Sequence, residues 1–268
     1  MPTLVARCSA LAVMLPVIAA SQDSDNIWMA SDRASARVGA FTANFDTDVR
    51  LASDLTGEGT LVSIEDDFGL DDSTTNAFIH GHYRFNSKHR LDLAWYDLSR
   101  DGVDDVRRDI EFGDINIGVG AVVDTNFDYQ IAKLVYSYSL AQNEKLDLAL
   151  AVGVYTAIYD IRATNVDTGD EEQEDGVAPV PLVGIRAGYF ITPRWLARAQ
   201  LEYLEISIGD GEATYLDSTV SIEYHAFERI GFGLAYNFVD VEGEDKGSND
   251  QADFAYDGLV AFVSWRFD

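Results

Sequence analysis

The sequence predicts an all-β fold: an antiparallel up-and-down transmembrane β-barrel, most simply of ten strands, with eight or twelve strands as alternatives. Two observations lead to this prediction. Apolar and polar residues alternate along many segments, as they do when a strand has one apolar face. Short turns and long polar stretches also alternate along the chain, and membrane barrels have tight turns on one side and longer loops on the other.

The N-terminal segment is typical of a secretory signal peptide, which we place at residues 1–20. It carries one charge, Arg7, and an apolar run from Leu11 to Ala20 that is short for a bilayer-spanning helix. A short membrane anchor or a buried helix is the alternative. The only cysteine, Cys8, lies in this segment, so the secreted chain would have no thiol. We expect residues 21–34 to form a periplasmic segment and residues 35–268 to form the barrel.

The charge balance excludes whole classes of function. The chain has a net charge of -27, with 46 acidic and 19 basic residues, and nucleic-acid binding requires a basic face. After the signal segment no apolar run approaches 18 residues, which excludes a helical membrane protein. The mean hydropathy of -0.07 by itself indicates a soluble protein, but the strands of a barrel hide their apolar residues by alternation.

The strands follow from the spacing of the turns. Four short turns, at 86–88, 142–144, 192–194 and 227–229, alternate with five long polar stretches at 51–73, 104–123, 164–178, 209–213 and 243–252. This spacing predicts strands at 35–50, 74–86, 89–103, 124–140, 145–163, 180–192, 195–209, 214–227, 230–242 and 253–267. The first strand alternates weakly. Residues 107–123 fit either a hairpin above the membrane or a further strand pair.

Six of the predicted strands have one continuous apolar face, which includes Leu148, Leu201 and Leu234 on three of them. Aromatic residues gather near the tight turns, where a girdle at the lipid headgroups is expected. They are Tyr83, Phe85, Tyr136, Tyr138, Trp195, Tyr224, Trp265 and Phe267. Cross-strand packing in a soluble secreted β-sandwich is the alternative explanation.

The same register predicts a network of charged side chains inside the barrel. Its members are Arg84, Arg90, Asp92, Lys133, Asp147, Arg186, Arg198, Glu202, Asp217, Glu223 and Arg266. Six basic residues among them face five acidic residues, a near balance that a confined interior requires. The acidic excess therefore belongs to the loops, at 64–72, 167–175 and 241–250. The run at 167–175 offers calcium-type oxygen ligands without EF-hand spacing, so we interpret it as a solvated charge run.

With these features the chain resembles the small outer-membrane β-barrels of Gram-negative bacteria. The resemblance rests on the signal peptide, the YRF sequence at 83–85, the alternation of turns, and YDGLVAFVSWRF at 256–267. That last stretch is similar to the C-terminal assembly signal of these barrels, through Gly258, Leu259, Ala261, Val263, Trp265 and Phe267. Asp268 departs from the pattern by following the terminal aromatic residue. The resemblance implies a place in the cell outer membrane, with membrane lipid, lipopolysaccharide and the barrel assembly machinery as partners.

The residues indicate no enzyme, and we expect no cofactor and no metal. A barrel of ten strands resembles the omptin proteases, whose catalytic residues lie in an outward-facing groove. In this chain Glu223 and His225 share an inward face, but they lie at the tight-turn end, which is the wrong end for that chemistry. His80 and His82 could bind a metal from one strand face, but hydrogen bonding to Asp or Glu neighbours inside the barrel is the favoured explanation. We expect an envelope-structural or loop-mediated interaction role with an unidentified extracellular partner. The alternatives are a narrow small-solute channel and an omptin-like or lipid-modifying enzyme.

Overall fold

The computed structural model describes residues 33–50, 52, 59–112 and 115–267. The predicted signal peptide at 1–20, with Cys8, lies outside the described residues, as do residues 21–32 and Asp268. Within the described part, no helix has the length and apolar character needed to span a bilayer.

Strands make up almost all of the described structure. They are β1 (Ala34–Arg50), β2 (Val62–Ser63), β3 (Ser73–Arg84), β4 (His89–Asp97), β5 (Arg100–Asp105), β6 (Ile110–Phe112), β7 (Ile115–Ile117), β8 (Val122–Gln142), β9 (Leu146–Asn165), β10 (Glu171–Thr192), β11 (Trp195–Ile208), β12 (Gly211–His225), β13 (Ile230–Asp245) and β14 (Asp250–Phe267). One short helix, α1 (Ile64–Phe68), follows β2.

The strands close into a barrel with ten positions around the wall. The pairing runs β1–β3–β4–β8–β9–β10–β11–β12–β13–β14, every neighbouring pair is antiparallel, and β14 pairs back onto β1. β5 pairs with β8 beyond the end of β4 and so continues the same wall position. The prediction of a ten-strand up-and-down barrel is therefore confirmed.

The third predicted strand, at 89–103, is interrupted. β4 ends at Asp97 and β5 begins at Arg100. The carboxylate of Asp97 accepts hydrogen bonds from the backbone N–H and the hydroxyl of Ser99, at 3.2 and 2.8 Å. An aspartate that bonds two residues ahead forms a local turn, which competes with the continuation of the strand.

Three predicted loops also have a different structure. The stretch at 164–178 was wrongly predicted to be a loop, because β9 and β10 extend through it and leave only residues 166–170 between them. Most residues from 164 to 178 are polar, so the sequence shows too little alternation to reveal the strands there. The stretch at 209–213 shrinks to a turn with Gly209 at φ 64°. In the stretch at 104–123, β6 and β7 form the separate hairpin that was one of two alternatives.

The apolar faces of the strands point outward. Leu148, Leu201 and Leu234 are 39%, 43% and 58% exposed, so no second protein layer covers them. The girdle residues Tyr83 and Trp265 are also exposed at the tight-turn end. On β14 and β1 this outward face becomes polar at Asp257 and Asn44, which pair across the two strands. A band of apolar residues thus encircles the barrel, as contact with lipid hydrocarbon requires.

The loop-side half of the lumen is filled with aromatic side chains, so the expectation of a polar interior is wrong for this half. The buried members are Phe41, Phe45, Phe127, Tyr129, Tyr155, Tyr215, Phe254 and Tyr256. The rings of Tyr129 and Phe254 lie 4.6 Å apart between centroids, and those of Tyr155 and Tyr215 lie 4.9 Å apart. Small barrels fill their interior with side chains, and here the fill is apolar.

Helix α1 closes this half from above. Ser63 caps its first turn by accepting a hydrogen bond from the N–H of Asp66, and Gly69 ends it at φ 67°. Its apolar residues Ile64 and Phe68 are fully buried. Glu65, in the first turn of the helix, pairs with Arg100 of β5 at 2.6 Å. This ion pair fixes the helix to the barrel wall.

The wall has a split between β10 and β11. The two strands pair only from Val183↔Tyr203 toward the turns, although β10 pairs with β9 up to Glu171. The backbone N–H of Phe190 donates to the carbonyl oxygen of Lys145, next to β9. Backbone N–H groups alternate in direction along a strand, so those of even-numbered β10 residues point toward β9 and those of odd-numbered residues point toward β11. Pro179 and Pro181 therefore lack the N–H groups that continued pairing with β11 would need.

Candidate functional site

The candidate site is the charged network in the turn-side half and middle of the lumen. The structure places all eleven sequence-predicted members there. Nine are buried: Arg84, Arg90, Asp92, Lys133, Asp147, Glu202, Asp217, Glu223 and Arg266. Arg186 and Arg198 keep 13% and 16% of their side-chain surface exposed. The structure adds a twelfth member, Arg37 on β1, which sequence reasoning missed because the first strand alternates weakly.

One cluster of the network surrounds Asp92 on β4. Its carboxylate binds Arg90 at 2.5 Å, Arg186 at 2.5 Å and the His80 ring at 3.1 Å. Arg186 reaches it across the lumen from β10 and also donates to the hydroxyl of Ser137 at 2.8 Å. One buried carboxylate therefore holds side chains from three strands.

A second cluster surrounds Glu223 on β12. Its carboxylate binds Arg198 at 2.5 Å, Arg37 at 3.2 Å and the His225 ring at 3.0 Å. Ser264 of β14 donates its hydroxyl at 2.6 Å. Glu223 is thus held by four side chains in a buried cluster at the tight-turn end, and His225 is buried beside it.

A third cluster lies deeper, where Lys133 inserts between Glu202 and Asp217. The Lys133 ammonium lies 2.7 Å from Asp217 and also contacts Glu202. Asn237 donates to Asp217 at 2.9 Å, and Gln200 donates to Glu202 at 2.5 Å. Closer to the turns, Arg84 pairs with Asp147, and Arg266 donates to the backbone carbonyl of Glu228 at 2.6 Å.

Two contiguous cavities of about 80 and 90 Å³ lie among these clusters, and we call them together the turn-side chamber. Both are lined by Arg37, His80, Arg186 and Gln200. The aromatic fill separates this chamber from the loops. The lumen therefore has a charged half that contains cavities and a half that is packed with aromatic side chains.

His80, His82 and His225 form hydrogen bonds inside the barrel, whereas His89 contacts the girdle residues Tyr136 and Tyr138. His80 bonds Asp92, and Nδ1 of His82 lies 2.8 Å from the Ser35 hydroxyl. In the part of the chain that the structure describes, no group of three or more His, Cys, Asp or Glu residues could hold a metal ion.

The residues of the predicted assembly signal lie on β14 at the closing seam of the barrel. Leu259, Trp265 and Phe267 are exposed on the outer face, and Ala261 and Val263 share that face. Gly258 lies so close to β1 that a Cβ there would be 2.0 Å from the carbonyl oxygen of Thr42. A glycine at this point lets the last strand approach the first.

The loop-side end is acidic. Asp48, Asp253 and Glu242 stand in one row across β1, β14 and β13, because Asp253 pairs with both of the others. Burial and neighbouring carboxylates raise the pKa of Asp48, of Glu242 and of Asp240, all beyond the apolar band. Burial is the largest cause for all three groups, and the repulsion between like charges that face one another in the sheet adds to it.

Comparison with solved structures identifies the fold. The outer membrane protease OmpT of Escherichia coli superposes with a TM-score of 0.56 at 15% sequence identity, covering 88% of this chain and 97% of OmpT. The protein has the fold of the outer-membrane β-barrels. OprG of Pseudomonas aeruginosa matches with a TM-score of 0.40 at 11% identity, covering 89% of this chain and 97% of OprG. Ail of Yersinia pestis matches at 0.37 and 9% identity, covering 86% of this chain and 99% of Ail.

No protein-family model and no curated protein sequence matches the chain. The architecture is nevertheless clear, because this outer-membrane β-barrel combines a closed antiparallel wall with an apolar outer band. It lies in the cell outer membrane, with the tight turns at one face and the acidic loops at the other.

Proposed function

We propose that this outer-membrane β-barrel is a sealed, envelope-structural protein whose acidic loop end mediates interaction. The observation that supports a sealed barrel is the aromatic fill of the lumen. Phe41, Tyr155 and Tyr215 are almost completely buried at its centre, and Phe68 of α1 is buried above them. A solute would have to displace this packed core to pass, which disfavours the narrow-channel alternative.

The partner that fits the loop end is a cationic one. Asp48, Asp253 and Glu242 form a row of carboxylates without a basic residue among them, and the acidic hairpin of β9 and β10 stands at the same end of the barrel. Such a surface attracts divalent cations diffusely, and these cations also bind the phosphates of lipopolysaccharide. We therefore take lipopolysaccharide, bridged by divalent cations, as the interaction partner of the loops.

The absence of catalysis is part of this proposal. All four histidines of the chain, His80, His82, His89 and His225, lie in the turn-side half, far from the loop end. The Glu223–His225 pair is enclosed by its own cluster. OmpT is a protease, yet the similarity to it at 15% identity is one of fold.

The experiment is thermal unfolding of the refolded barrel in lipopolysaccharide-containing micelles, with magnesium and then with chelator. We expect chelation to lower the unfolding temperature of the native protein. The Asp48→Asn/Asp253→Asn variant should lose most of this response, and the turn-end control Glu144→Gln/Glu228→Gln should keep it. An equal response in both variants would contradict the loop role.

The sealed lumen has its own test in planar bilayers. We expect the native barrel to show no steady conductance. The Phe68→Ala variant, which removes a buried ring above the aromatic fill, serves as the comparison. A steady conductance of the native barrel that equals or exceeds that of this variant would favour the channel instead.

A further inference from the structure

Strand β10 has an open edge at its loop-side end. On one side β9 pairs with β10 as far as Glu171, and β8 in turn pairs with β9. On the other side β11 pairs with β10 only as far as Val183↔Tyr203, and β11 ends five residues later, at Ile208. Because β10 continues for twelve residues beyond this last pair, residues 171–177 extend past the end of β11. We call residues 171–177 the free edge, since no described strand pairs with them on that side.

The backbone of the free edge presents hydrogen-bonding groups to the open side. The N–H of Phe190 points toward β9, so the N–H and C=O groups of odd-numbered β10 residues point the other way. In the free edge these residues are Glu171, Gln173, Asp175 and Val177. Donors and acceptors with the spacing of a β-ladder are a template for an added strand.

The free edge is also strongly acidic. Four of its seven residues carry carboxylates, namely Glu171, Glu172, Glu174 and Asp175. Among the described residues only Glu171 has a basic partner, Arg162 of β9, at 3.7 Å, and both side chains are about half exposed. Asp175 lies opposite another carboxylate, that of Asp160. An exposed strand with this charge favours a partner of the opposite sign.

Two other occupants of the free edge are disfavoured by the structure. β11 is too short to reach it, and Pro179 and Pro181 remove the N–H donors that would extend the pairing with β11. A second copy of the chain would place two acidic edges side by side, and like charges that face one another destabilise a sheet. The occupant has to supply positive charge as well as an extended backbone.

We propose that the free edge binds a cationic peptide segment in extended conformation, which adds to β10 as a further strand. The backbone of the peptide pairs with the odd-numbered residues of the free edge, and its Lys or Arg side chains pair with the carboxylates. Side chains alternate along a strand, so Glu172 and Glu174 lie on the face opposite to Glu171 and Asp175. A peptide with basic residues on both faces therefore fits best.

The site is independent of the carboxylate row proposed to bind divalent cations. That row lies on β1, β13 and β14, whereas the free edge lies on β10. The peptide also needs backbone N–H and C=O groups, which a diffusely bound cation does not.

The test is fluorescence anisotropy of a labelled peptide titrated with the refolded full chain, in lipopolysaccharide-free micelles of a nonionic detergent with chelator present. The probe consists of lysine and threonine, with lysines on both faces, and is about seven residues long to match the free edge. We expect saturable binding of one peptide per barrel. The same peptide methylated on every backbone nitrogen keeps its charge but has no N–H donors, and it should bind about tenfold more weakly or worse.

A pair of double substitutions tests the backbone of the free edge. Gln173→Pro/Val177→Pro removes two N–H donors from the open side, keeps every charge, and leaves the N–H groups that point toward β9. It should weaken binding about fivefold or more. The matched control Gln173→Ala/Val177→Ala keeps both donors and should bind as the native protein does.

A second pair of double substitutions tests the charge. Glu174→Gln/Asp175→Asn should weaken binding severalfold, whereas Asp48→Asn/Asp253→Asn removes as many carboxylates elsewhere at the loop end and should leave it unchanged. Absence of saturable binding to the native protein would overturn the proposal. Equal binding of the methylated peptide would do the same, and that comparison requires no variant to fold. Because lipopolysaccharide and divalent cations are absent here, this proposal and the proposed function can fail separately.

Discussion

Replacing Lys133 by methionine is the sharpest test of the lumen network. The substitution leaves Glu202 and Asp217 facing each other without their shared cation, and Glu202 is completely inaccessible to solvent. Removing one partner of a buried ion pair costs about 3–5 kcal/mol, because an uncompensated charge remains. At about 1.4 kcal/mol per tenfold, this lowers the folding equilibrium constant by roughly two to three and a half orders of magnitude.

The chain offers a matched control at its surface. Lys246 pairs with Glu212 at 2.7 Å, the distance that also separates Lys133 from Asp217. Both partners at the surface are about half exposed, whereas those in the lumen are nearly inaccessible. Exposed pairs contribute only about 0–1 kcal/mol, so Lys246→Met should be nearly neutral.

The assay is urea unfolding of the refolded barrel in detergent micelles, followed by tryptophan fluorescence. A third variant, Lys133→Met/Glu202→Gln/Asp217→Asn, removes all three charges and should recover most of the loss, because no buried charge remains unpaired. If Lys133→Met and Lys246→Met lose the same small amount of stability, the triad does not stabilise the barrel as argued.

Three further predictions address the seams and the loops. Gly258→Ala should destabilise the barrel by about 1–3 kcal/mol in the same assay, because its Cβ would overlap β1; Gly243→Ala, with its nearest atom at 3.8 Å, should not. The double substitution Pro179→Thr/Pro181→Thr should let β10 pair further with β11. Amide hydrogen exchange in residues 204–208 should then slow about fivefold for each added hydrogen bond. Unchanged exchange would mean that the missing N–H donors do not hold the strands apart. The pKa values of Asp240 and Glu242 are raised in the folded protein, which therefore binds protons more readily than the unfolded chain. The unfolding temperature should accordingly rise as the pH falls from 7 to 5. The variant Asp240→Asn/Glu242→Gln should show a smaller rise.

The outer surface and the strand count were predictable because both depend on local order. Alternation with a period of two fixes which face a residue occupies, as for Leu148 and Leu234, whose outward positions the structure confirms. Tight turns between alternating segments fix which strands are neighbours. Neither inference requires knowledge of distant parts of the chain.

The contents of the lumen were harder to predict because they depend on distant contacts. Arg37 and Glu223 pair although they are 186 positions apart in the sequence. Arg100 on β5 pairs with Glu65 of α1, the helix that closes the loop-side half. The aromatic fill was missed for a related reason. When the apolar face of each strand is assigned to the outside, the opposite face is expected to be polar. Tyr155 and Phe254 break this rule, because they are aromatic and point into the lumen.

The charges of the lumen are nearly balanced whereas the loop end is acidic, and the barrel architecture explains how one chain maintains both. The lipid-facing band excludes charge, so charged residues must lie either in the lumen or beyond the membrane. Inside the lumen they have to be nearly balanced, whereas carboxylates in water, such as Asp48 and Glu242, can accumulate at small cost. The aromatic fill then lies between the two regions as a dry layer. A substitution in the chamber should therefore leave the cation response of the loops unchanged.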